Sequence, residues 1–365
     1  MTLKEQSLAV TTIYAELAQL CLDAEAAGTD PASYDAVGAI TPAAKTIRGR
    51  IYWYAQYTDI EGRQRQSYIG PDNEVTQNAL TALQDLSARE EMQRRRDMVK
   101  MLRSAGFSTL NHLASGAILA LDRTGIFKAG VTLVGTPAYQ AILNRFGFSE
   151  NPPIQTNDID FSVRHFELAI PEQVDIANAM REWNPKSFQV PSFNLKDGSS
   201  SFKIRGKDFH IDFLTNGASN ETGKSAQLPN LGFNAQKLPF LDYLVDSAEK
   251  TLLLSTYGVV IPVPNAARFA FHKCAVAADR PTIFDAKREK DKHQARTLFG
   301  ILLERDPYEI ISAYKAIASA QEGGLLLVKI VKTLNEKSMS GYLQRIEDVL
   351  QTKLATSHTD VPGAW

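Results

Sequence analysis

The chain has 365 residues, of which 44% are hydrophobic and 22% charged, and its formal net charge is -1. These proportions are those of a globular protein and exclude a disordered or fibrous chain. The near-zero charge excludes a basic field over the whole protein, so any polyanion site has to be local. The length exceeds what one ordinary core supports, which predicts additional layers or a second domain.

Cysteine usage and apolar runs bear on the cellular compartment. Cys21 and Cys274 are far apart, lack metal-ligand spacing and are too few for a disulfide framework, which favours a reducing cytoplasm. The N-terminal segment has no long apolar core before a small-residue cleavage site, and no apolar run elsewhere reaches about 18 residues. We therefore expect a cytoplasmic protein that is neither secreted nor inserted in a membrane.

The N-terminal third alternates between helical and strand-like patterns. Apolar residues at helical spacing predict a helix from Leu3 to Ala26, followed by a polar loop. Two aromatic-rich runs at about 47–70, joined near Glu61-Gly62, predict a β-hairpin. Residues 74–105 contain neither Pro nor Gly and interleave acids with bases, which predicts one long solvated helix. A further helix is predicted over 110–121.

The predicted hairpin places arginines among aromatic residues: Arg48, Arg50, Arg63 and Arg65 with Tyr52, Trp53, Tyr54, Tyr57 and Tyr68. Charge combined with ring stacking is one way to bind single-stranded nucleic acid. A packed hairpin with a basic rim explains the pattern slightly better. The run of three arginines at 94–96 has acidic neighbours, and we interpret it as a solvated helix face.

The pattern changes at Phe127 to alternating strands and helices. Strands are predicted at GVTLVGT and NDIDFSV, each followed by a helix, and then around FQVPSF, SSFKIRG and DFHIDFLT. Residues 216–237 are predicted to form a long loop, a length that is often functional. After the strand YGVVIPVP, residues from 266 to about 353 are predicted to be helical, with breaks near Pro281, Pro307 and Gly323.

This order of elements predicts an α+β fold built on a mixed sheet. We expect three regions: an N-terminal helical region with the hairpin over 1–125, a central sheet region over 126–264, and a C-terminal helical domain over 265–365.

The segment LVGTPAYQAIL predicts a phosphate site. A strand enters Gly135, Thr136 stands at the expected N-cap and Pro137 at the first helical position. Glycine allows a phosphate to approach the backbone, and the free N–H groups and dipole of the helix start favour an anion. A plain strand-to-helix turn explains the same residues better when the segment is considered alone.

Two acids in NDIDFSV are spaced for one face of a strand. Side chains at i and i+2 point to the same side, so Asp158 and Asp160 project together, away from Ile159 and Phe161. Two neighbouring acids repel unless a cation lies between them, and Mg²⁺ is the usual solution. Salt bridges at a solvated strand end are about equally good as an explanation of this pair alone.

A third acid follows in the apolar strand DFHIDFLT. Asp212 lies on the face opposite Phe209, Ile211 and Phe213, and a carboxylate in such a strand is costly to bury unless it is paired or binds a metal. Asp212 is therefore a candidate to join the first two acids. His210 shares its face, and a histidine packed beside the strand is favoured over a substrate ligand.

Together these segments resemble the nucleotidyltransferase superfamily with the polymerase-β-like palm, over about residues 127–264. That family has a hydrophobic-Gly-[Gly/Ser/Thr] turn, then Asp-x-Asp, then one acid on a later strand. The resemblance implies that Gly135 and Thr136 bind the triphosphate. It also implies that Asp158 and Asp160 hold two Mg²⁺ (or Mn²⁺) ions, and that Asp212 is the remaining ligand or base.

Two departures concern the phosphate turn. The first turn of the family commonly reads Gly-Gly or Gly-Ser, whereas here Val134 precedes Gly135 and Thr136 follows it. Pro137 also removes one N–H donor from the helix start. The segment GFSENPPIQT lengthens the approach to the acid strand. We expect the binding of phosphate to be altered accordingly.

The segment IPVPNAARFAFHKCAVAADR with KREKDKHQA resembles the helical part that follows the palm in bacterial nucleotidyltransferase-fold proteins, including toxin-like and abortive-infection members. This resemblance implies that Lys273 and Arg280 face the nucleotide or an acceptor, together with three residues of the next helix: Lys287, Lys290 and Asp291. Lys273 has apolar neighbours, and an unpaired lysine there would favour an anion. A solvated charge pattern explains these residues about equally well.

The resulting expectation is an Mg²⁺-dependent nucleotidyltransferase that uses an NTP such as ATP and modifies RNA, tRNA in particular, or a protein or small molecule. An antitoxin or a second copy of the chain is the expected partner. Two alternatives stay open: a nucleic-acid-binding protein that keeps this fold without turnover, and a glycosyltransferase that uses Asp-x-Asp for a nucleotide sugar. The Gly-Thr turn and the later acid favour the first expectation, and fold alone does not decide.

Overall fold

A computed structural model of the protein describes residues 2–26, 40–58, 64–85, 88–151, 156–163, 175–191, 198–228 and 231–354. The chain separates into two compact units. The first comprises residues 1–214, 225–236 and 250–262, and the second comprises 215–224, 237–249 and 263–365. The predicted α+β class is confirmed: the first unit combines the strands with helices, and the second unit is mainly helical.

The elements that lie wholly or mostly in the first unit are, in chain order, β1 (Thr2–Glu5), α1 (Leu8–Ala26), β2 (Thr41–Ile47), β3 (Arg50–Thr58), β4 (Gln64–Pro71), α2 (Glu74–Asp85), α3 (Ala88–Ala105), α4 (His112–Asp122), β5 (Thr132–Val134), α5 (Gly135–Arg145), β6 (Phe148–Asn151), β7 (Asp158–Ser162), α6 (Ile176–Trp183), β8 (Ser187–Gln189), β9 (Ser201–Ile204), β10 (His210–Asn216), β11 (Ser225–Leu228), β12 (Phe233–Leu238), β13 (Glu249–Leu253) and β14 (Val259–Val263). Those of the second unit are α7 (Leu241–Val245), α8 (Ala266–Asp279), α9 (Asp285–Arg305), α10 (Pro307–Lys315), α11 (Gly323–Leu334) and α12 (Ser340–Leu350).

The central sheet of the first unit has seven strands. Its main path runs in the order β11-β12-β10-β7-β5, and β9 pairs with both β10 and β8. β7 and β10 are parallel, whereas β5 pairs antiparallel with β7 and β9 pairs antiparallel with β10. The sheet is therefore mixed, and the parallel pair of β7 and β10 lies in its middle.

Several predicted boundaries differ from the observed ones. The first helix begins at Leu8 rather than Leu3, because residues 2–5 form β1 and pair antiparallel with β6. The predicted long helix is two helices, α2 and α3, and the hairpin is part of a three-stranded antiparallel sheet that also includes β2. The predicted turn at Glu61-Gly62 lies outside the described residues. The expected 216–237 loop contains β11 and β12, which pair antiparallel.

The first unit also joins two of the three predicted regions. One buried cluster combines residues of α1 and α3 with residues of β13 and β14: Tyr14, Leu17, Cys21, Met98, Val99, Leu102, Leu252 and Val260. Burial of this shared apolar surface links the N-terminal helices to the end of the predicted central region. The division at residues 262 and 263 lies next to the expected boundary at 264, whereas the expected boundary at 125 lies inside the first unit; the organisation into three regions stays a prediction.

Arg95 shows why the arginine run is not simply solvated. Its side chain is fully buried, and Nε and Nη2 donate hydrogen bonds to the carbonyl oxygens of Tyr257 (3.0 Å) and Gly258 (2.9 Å). The interpretation of the run as a solvated helix face is wrong for this residue. A buried guanidinium that satisfies two backbone carbonyls fixes the loop between β13 and β14 onto α3.

The second unit is helical, as the sequence predicts. α10 begins with Pro307 behind the N-cap Asp306, whose carboxylate accepts a hydrogen bond from the backbone N–H of Glu309, so the break near Pro307 is a helix start. The rings of Phe271 and Phe299 pack edge to face with centroids 5.0 Å apart, joining α8 to α9. Among the helices that the structure describes, none is long and apolar enough to cross a bilayer.

Candidate active site

Parallel pairing brings the predicted acids together on one face of the sheet. In the register of β7 and β10, Asp160 is the partner of Asp212 and Asp158 is the partner of His210. Paired residues of adjacent strands point to the same side, so these four side chains share a face. The residues between them, Ile159, Phe161, Ile211 and Phe213, are at most 1% exposed. We call the side with Asp158, Asp160, His210 and Asp212 the acid face.

Gly135 fits directly against the acid face. β5 pairs with β7 so that Val134 is opposite Asp160, and α5 starts at the next residue. The φ angle of Gly135 is +72°, and a Cβ atom placed there would lie 2.4 Å from Oδ2 of Asp160. Both the left-handed backbone and the close carboxylate require glycine at this position.

The start of α5 differs from the prediction, because Val134 is the N-cap and Gly135 the first helical residue. Thr136 is therefore not the N-cap, and Pro137 is not at the first helical position. The N-cap residue Val134 makes no side-chain hydrogen bond to the first turn of the helix. The helix dipole favours negative charge at this end, and the carboxylate of Asp160 already lies there. Thr136 follows at the second helical position and is 6% exposed. The structure thus brings the phosphate turn and the acids to one place.

Further polar residues reach the acid face from β9. Ser201 is the register partner of Asp212, and its hydroxyl donates a hydrogen bond to Oδ1 of that carboxylate. Lys203 is the register partner of His210. The sequence interpretation missed both residues. Alternation in SSFKIRG indicates that Ser201 and Lys203 share one face of β9, because the apolar Phe202 lies between them. The sequence does not reveal the pairing register that places this face beside β10.

His210 lies between two acids and is half-buried. Its Nδ1 is 3.8 Å from Oδ1 of Asp158, and its Nε2 is 3.9 Å from Oδ1 of Asp208. Both distances exceed those of hydrogen bonds. The side chain therefore lies on the acid face, as the alternation in DFHIDFLT predicts.

The donor chemistry of the acid face fits a hard divalent cation. Carboxylates spaced like neighbouring strands, about 5 Å apart, repel by on the order of 3 kcal/mol at an effective dielectric constant of about 20. Among the described residues, no cationic side chain forms an ion pair with Asp212, whose carboxylate accepts the hydrogen bond from Ser201. In the same ranges, no group of three or more His, Cys, Asp or Glu side chains forms a ready-made metal site. The carboxylates offer oxygen ligands on one face, and closing them on an ion would need side-chain movement.

Lys273 and Arg280 have a different partner from the one the sequence suggests. Both lie in the second unit and form ion pairs with Asp291 of α9, at 2.7 Å and 2.5 Å. The side chain of Asp291 is 3% exposed. Burial alone would raise the pKa of this carboxyl, but Lys273 and Arg280 outweigh burial and hold the pKa below its ordinary value. The expectation that Lys273 is unpaired is therefore wrong, and its role in nucleotide binding stays a prediction without that support.

The acid face and the glycine turn thus lie on adjacent strands of a mixed sheet in an α+β protein. A family model described as Nucleotidyltransferase matches residues 112–319, which is more than half of the chain and includes Gly135, the three acids and α8. The chain belongs to this nucleotidyltransferase family, as the resemblance of the sequence predicts. Comparison with curated proteins and comparison with solved structures give no match.

Proposed function

We propose that the protein transfers a nucleotidyl group from an NTP to an acceptor hydroxyl, with RNA, tRNA included, as the acceptor and Mg²⁺ or Mn²⁺ as the cofactor. The observation that carries this proposal is the parallel register of Asp160 and Asp212 beside the left-handed Gly135. Membership of the nucleotidyltransferase family supports it over a glycosyltransferase.

The phosphate turn provides the donor site of this proposal. The absence of a side chain at Gly135 makes room for the carboxylate of Asp160, and the N–H groups at the start of α5 point away from the helix, where they would bind a phosphate. The dipole of α5 adds about half a positive charge there. Because Pro137 lacks an N–H group, the phosphate would be bound by the backbone N–H groups of Gly135 and Thr136.

The acid face provides the cation site and the base. Asp158, Asp160 and Asp212 would hold Mg²⁺, which when bound neutralises phosphate charge and lowers the pKa of a bound hydroxyl. The hydrogen bond from Ser201 occupies Oδ1 of Asp212 and orients the carboxylate, so that Oδ2 can face the acceptor.

The transfer forms one bond to phosphorus and breaks one. The acceptor oxygen forms a bond to the α-phosphorus of the NTP, and the bond from that phosphorus to the bridging oxygen of pyrophosphate breaks. Pyrophosphate leaves, and the proton of the acceptor hydroxyl passes to Asp212. An antitoxin or second copy as a partner stays a prediction.

The test is transfer of label from each of the four α-³²P-labelled NTPs to total RNA and total protein, with Mg²⁺ present. We expect labelled RNA with the wild-type protein and at least about 10³-fold less label with Asp158→Ala/Asp160→Ala. The matched control, Asp23→Ala/Glu74→Ala, removes two exposed acids elsewhere in the first unit and should label normally. If no NTP gives label while the protein still binds RNA, the non-catalytic alternative is correct.

A further inference from the structure

A cleft of the first unit lies beside the start of the acid strand β7. Its volume is about 910 Å³, and it is enclosed by parts of α3, the loop between α3 and α4, α5 and β6. Pro137 in the first turn of α5 lines it, as do Thr156 and Asn157, which immediately precede Asp158. Ile159 of β7 also lines the cleft, and it points away from the acid face, so the cleft lies next to the start of β7 and adjoins the acid face only at Asp158.

Basic side chains dominate the charge of this cleft. They are Lys4, Arg96, Lys100 and Arg103. Among its described lining residues the acid is Glu150, which is 4% exposed and accepts a hydrogen bond from the Tyr139 hydroxyl at 2.6 Å. The cleft is therefore a local positive region in a chain whose net charge is -1.

Three of these cations form a row. Arg96, Lys100 and Arg103 occupy positions i, i+4 and i+7 of α3, which places them on one side of the helix over about 10 Å. The start of α4 also lines the cleft, and its dipole has the same positive sign. The charges of a triphosphate are close together, whereas the phosphates of a polynucleotide are spaced along its backbone. Cations spread over about 10 Å therefore fit a polynucleotide better than a triphosphate.

Two of these cations, Arg96 and Lys100, have contacts that leave them able to bind an anion. The guanidinium of Arg96 lies 5.0 Å from the centroid of the Tyr257 ring and donates to the Tyr257 hydroxyl at 2.7 Å. Its Nε is buried and has no hydrogen-bond partner among the described residues. Lys100 pairs with Asp97 at 2.8 Å, but both side chains are about half exposed, so this pair exchanges readily for a phosphate.

We propose that the cleft binds the sugar–phosphate backbone of a single-stranded polynucleotide and leads its end to the acid face. The destination of the strand rests on the proposed function, but the binding itself does not. Ser108, Thr109 and Asn111 in the loop before α4 add hydroxyl and amide groups for the sugars and phosphates.

The test is fluorescence anisotropy with a fluorescein-labelled oligouridylate of about 12 nucleotides, titrated at several salt concentrations. Lys100→Ala/Arg103→Ala removes two exposed cations of the row, and Lys128→Ala/Lys186→Ala removes two exposed lysines outside the cleft. We expect the first variant to raise Kd about tenfold and to lower the salt slope by about 1.4, and the control to change neither. Thermal melting checks that both variants fold.

Equal affinities and slopes for the two double variants would overturn the proposal. So would a loss of affinity for a fluorescent ATP analogue, with unchanged oligouridylate binding, in Lys100→Ala/Arg103→Ala, because the cleft would then hold the donor. Asp158→Ala/Asp160→Ala separates this inference from the proposed function: it should lose transfer and keep oligouridylate affinity. Cleft-dependent binding without any nucleotidyl transfer by the wild-type protein would contradict only the proposed function.

Discussion

Substitution of Gly135 by alanine tests how the phosphate turn and the acids are coupled. The added Cβ would lie 2.4 Å from Oδ2 of Asp160, so the carboxylate has to recede by about 0.6 Å to reach a separation of 3.0 Å and by about 1 Å to reach 3.4 Å. The left-handed φ of +72° adds a backbone cost of about 1 kcal/mol. A shift of about 1 Å in a catalytic group can cost about 10²-fold in rate.

Gly49 supplies the matched control for this substitution. Its φ is +76°, and a Cβ placed there meets nothing within 4 Å, so Gly49→Ala carries the backbone cost without the clash. We expect both variants to lose similar stability in urea unfolding. In the α-³²P transfer assay, kcat/KM should fall about 100-fold for Gly135→Ala and stay within about twofold for Gly49→Ala. Equal activities of the two variants would refute the coupling.

Two further predictions concern the second unit. Asp291→Asn should lower the free energy of unfolding by about 3–5 kcal/mol at pH 7, because Lys273 and Arg280 lose a buried partner, whereas the exposed Asp285→Asn should change it little. Since the folded pKa of Asp291 is lowered from 3.8, the advantage of the wild type over Asp291→Asn should be full above about pH 4 and shrink as pH falls further; a constant difference down to pH 3 would contradict this. His272 is buried, and burial, aided by Lys273 and opposed by Asp291, lowers its pKa from 6.5 to about 3. The unfolded chain therefore binds one more proton below pH 6.5, so stability should fall by about 1.4 kcal/mol per pH unit, and His272→Gln should remove that slope in urea unfolding at pH 5 and 7.

The acid face could be predicted from the sequence because its signals are local. Alternation within NDIDFSV and DFHIDFLT sets Asp158, Asp160 and Asp212 opposite buried apolar residues, and the structure shows that alternation in both strands. The left-handed turn at Gly135 has a local signal too, since glycine accepts φ angles that other residues avoid.

What the sequence did not reveal depends on contacts between distant segments. Ser201 and Lys203 join the acid face through the register of β9 with β10, which the sequence pattern of one strand does not fix. β1 is a short exposed strand that pairs with a segment about 145 residues away. Because nothing in its own sequence indicates that pairing, its residues are predicted to form the first turn of a helix. The ion pairs of Lys273 depend in the same way on the packing of α9 against α8.

The most direct test of the central claim compares α-³²P-labelled and γ-³²P-labelled forms of the same NTP, with wild-type protein and Asp212→Asn, on purified RNA. Nucleotidyl transfer predicts that the α label reaches the RNA and the γ label leaves with pyrophosphate, and that Asp212→Asn abolishes the α signal. Transfer of the γ label, or equal α labelling by Asp212→Asn, would contradict the account.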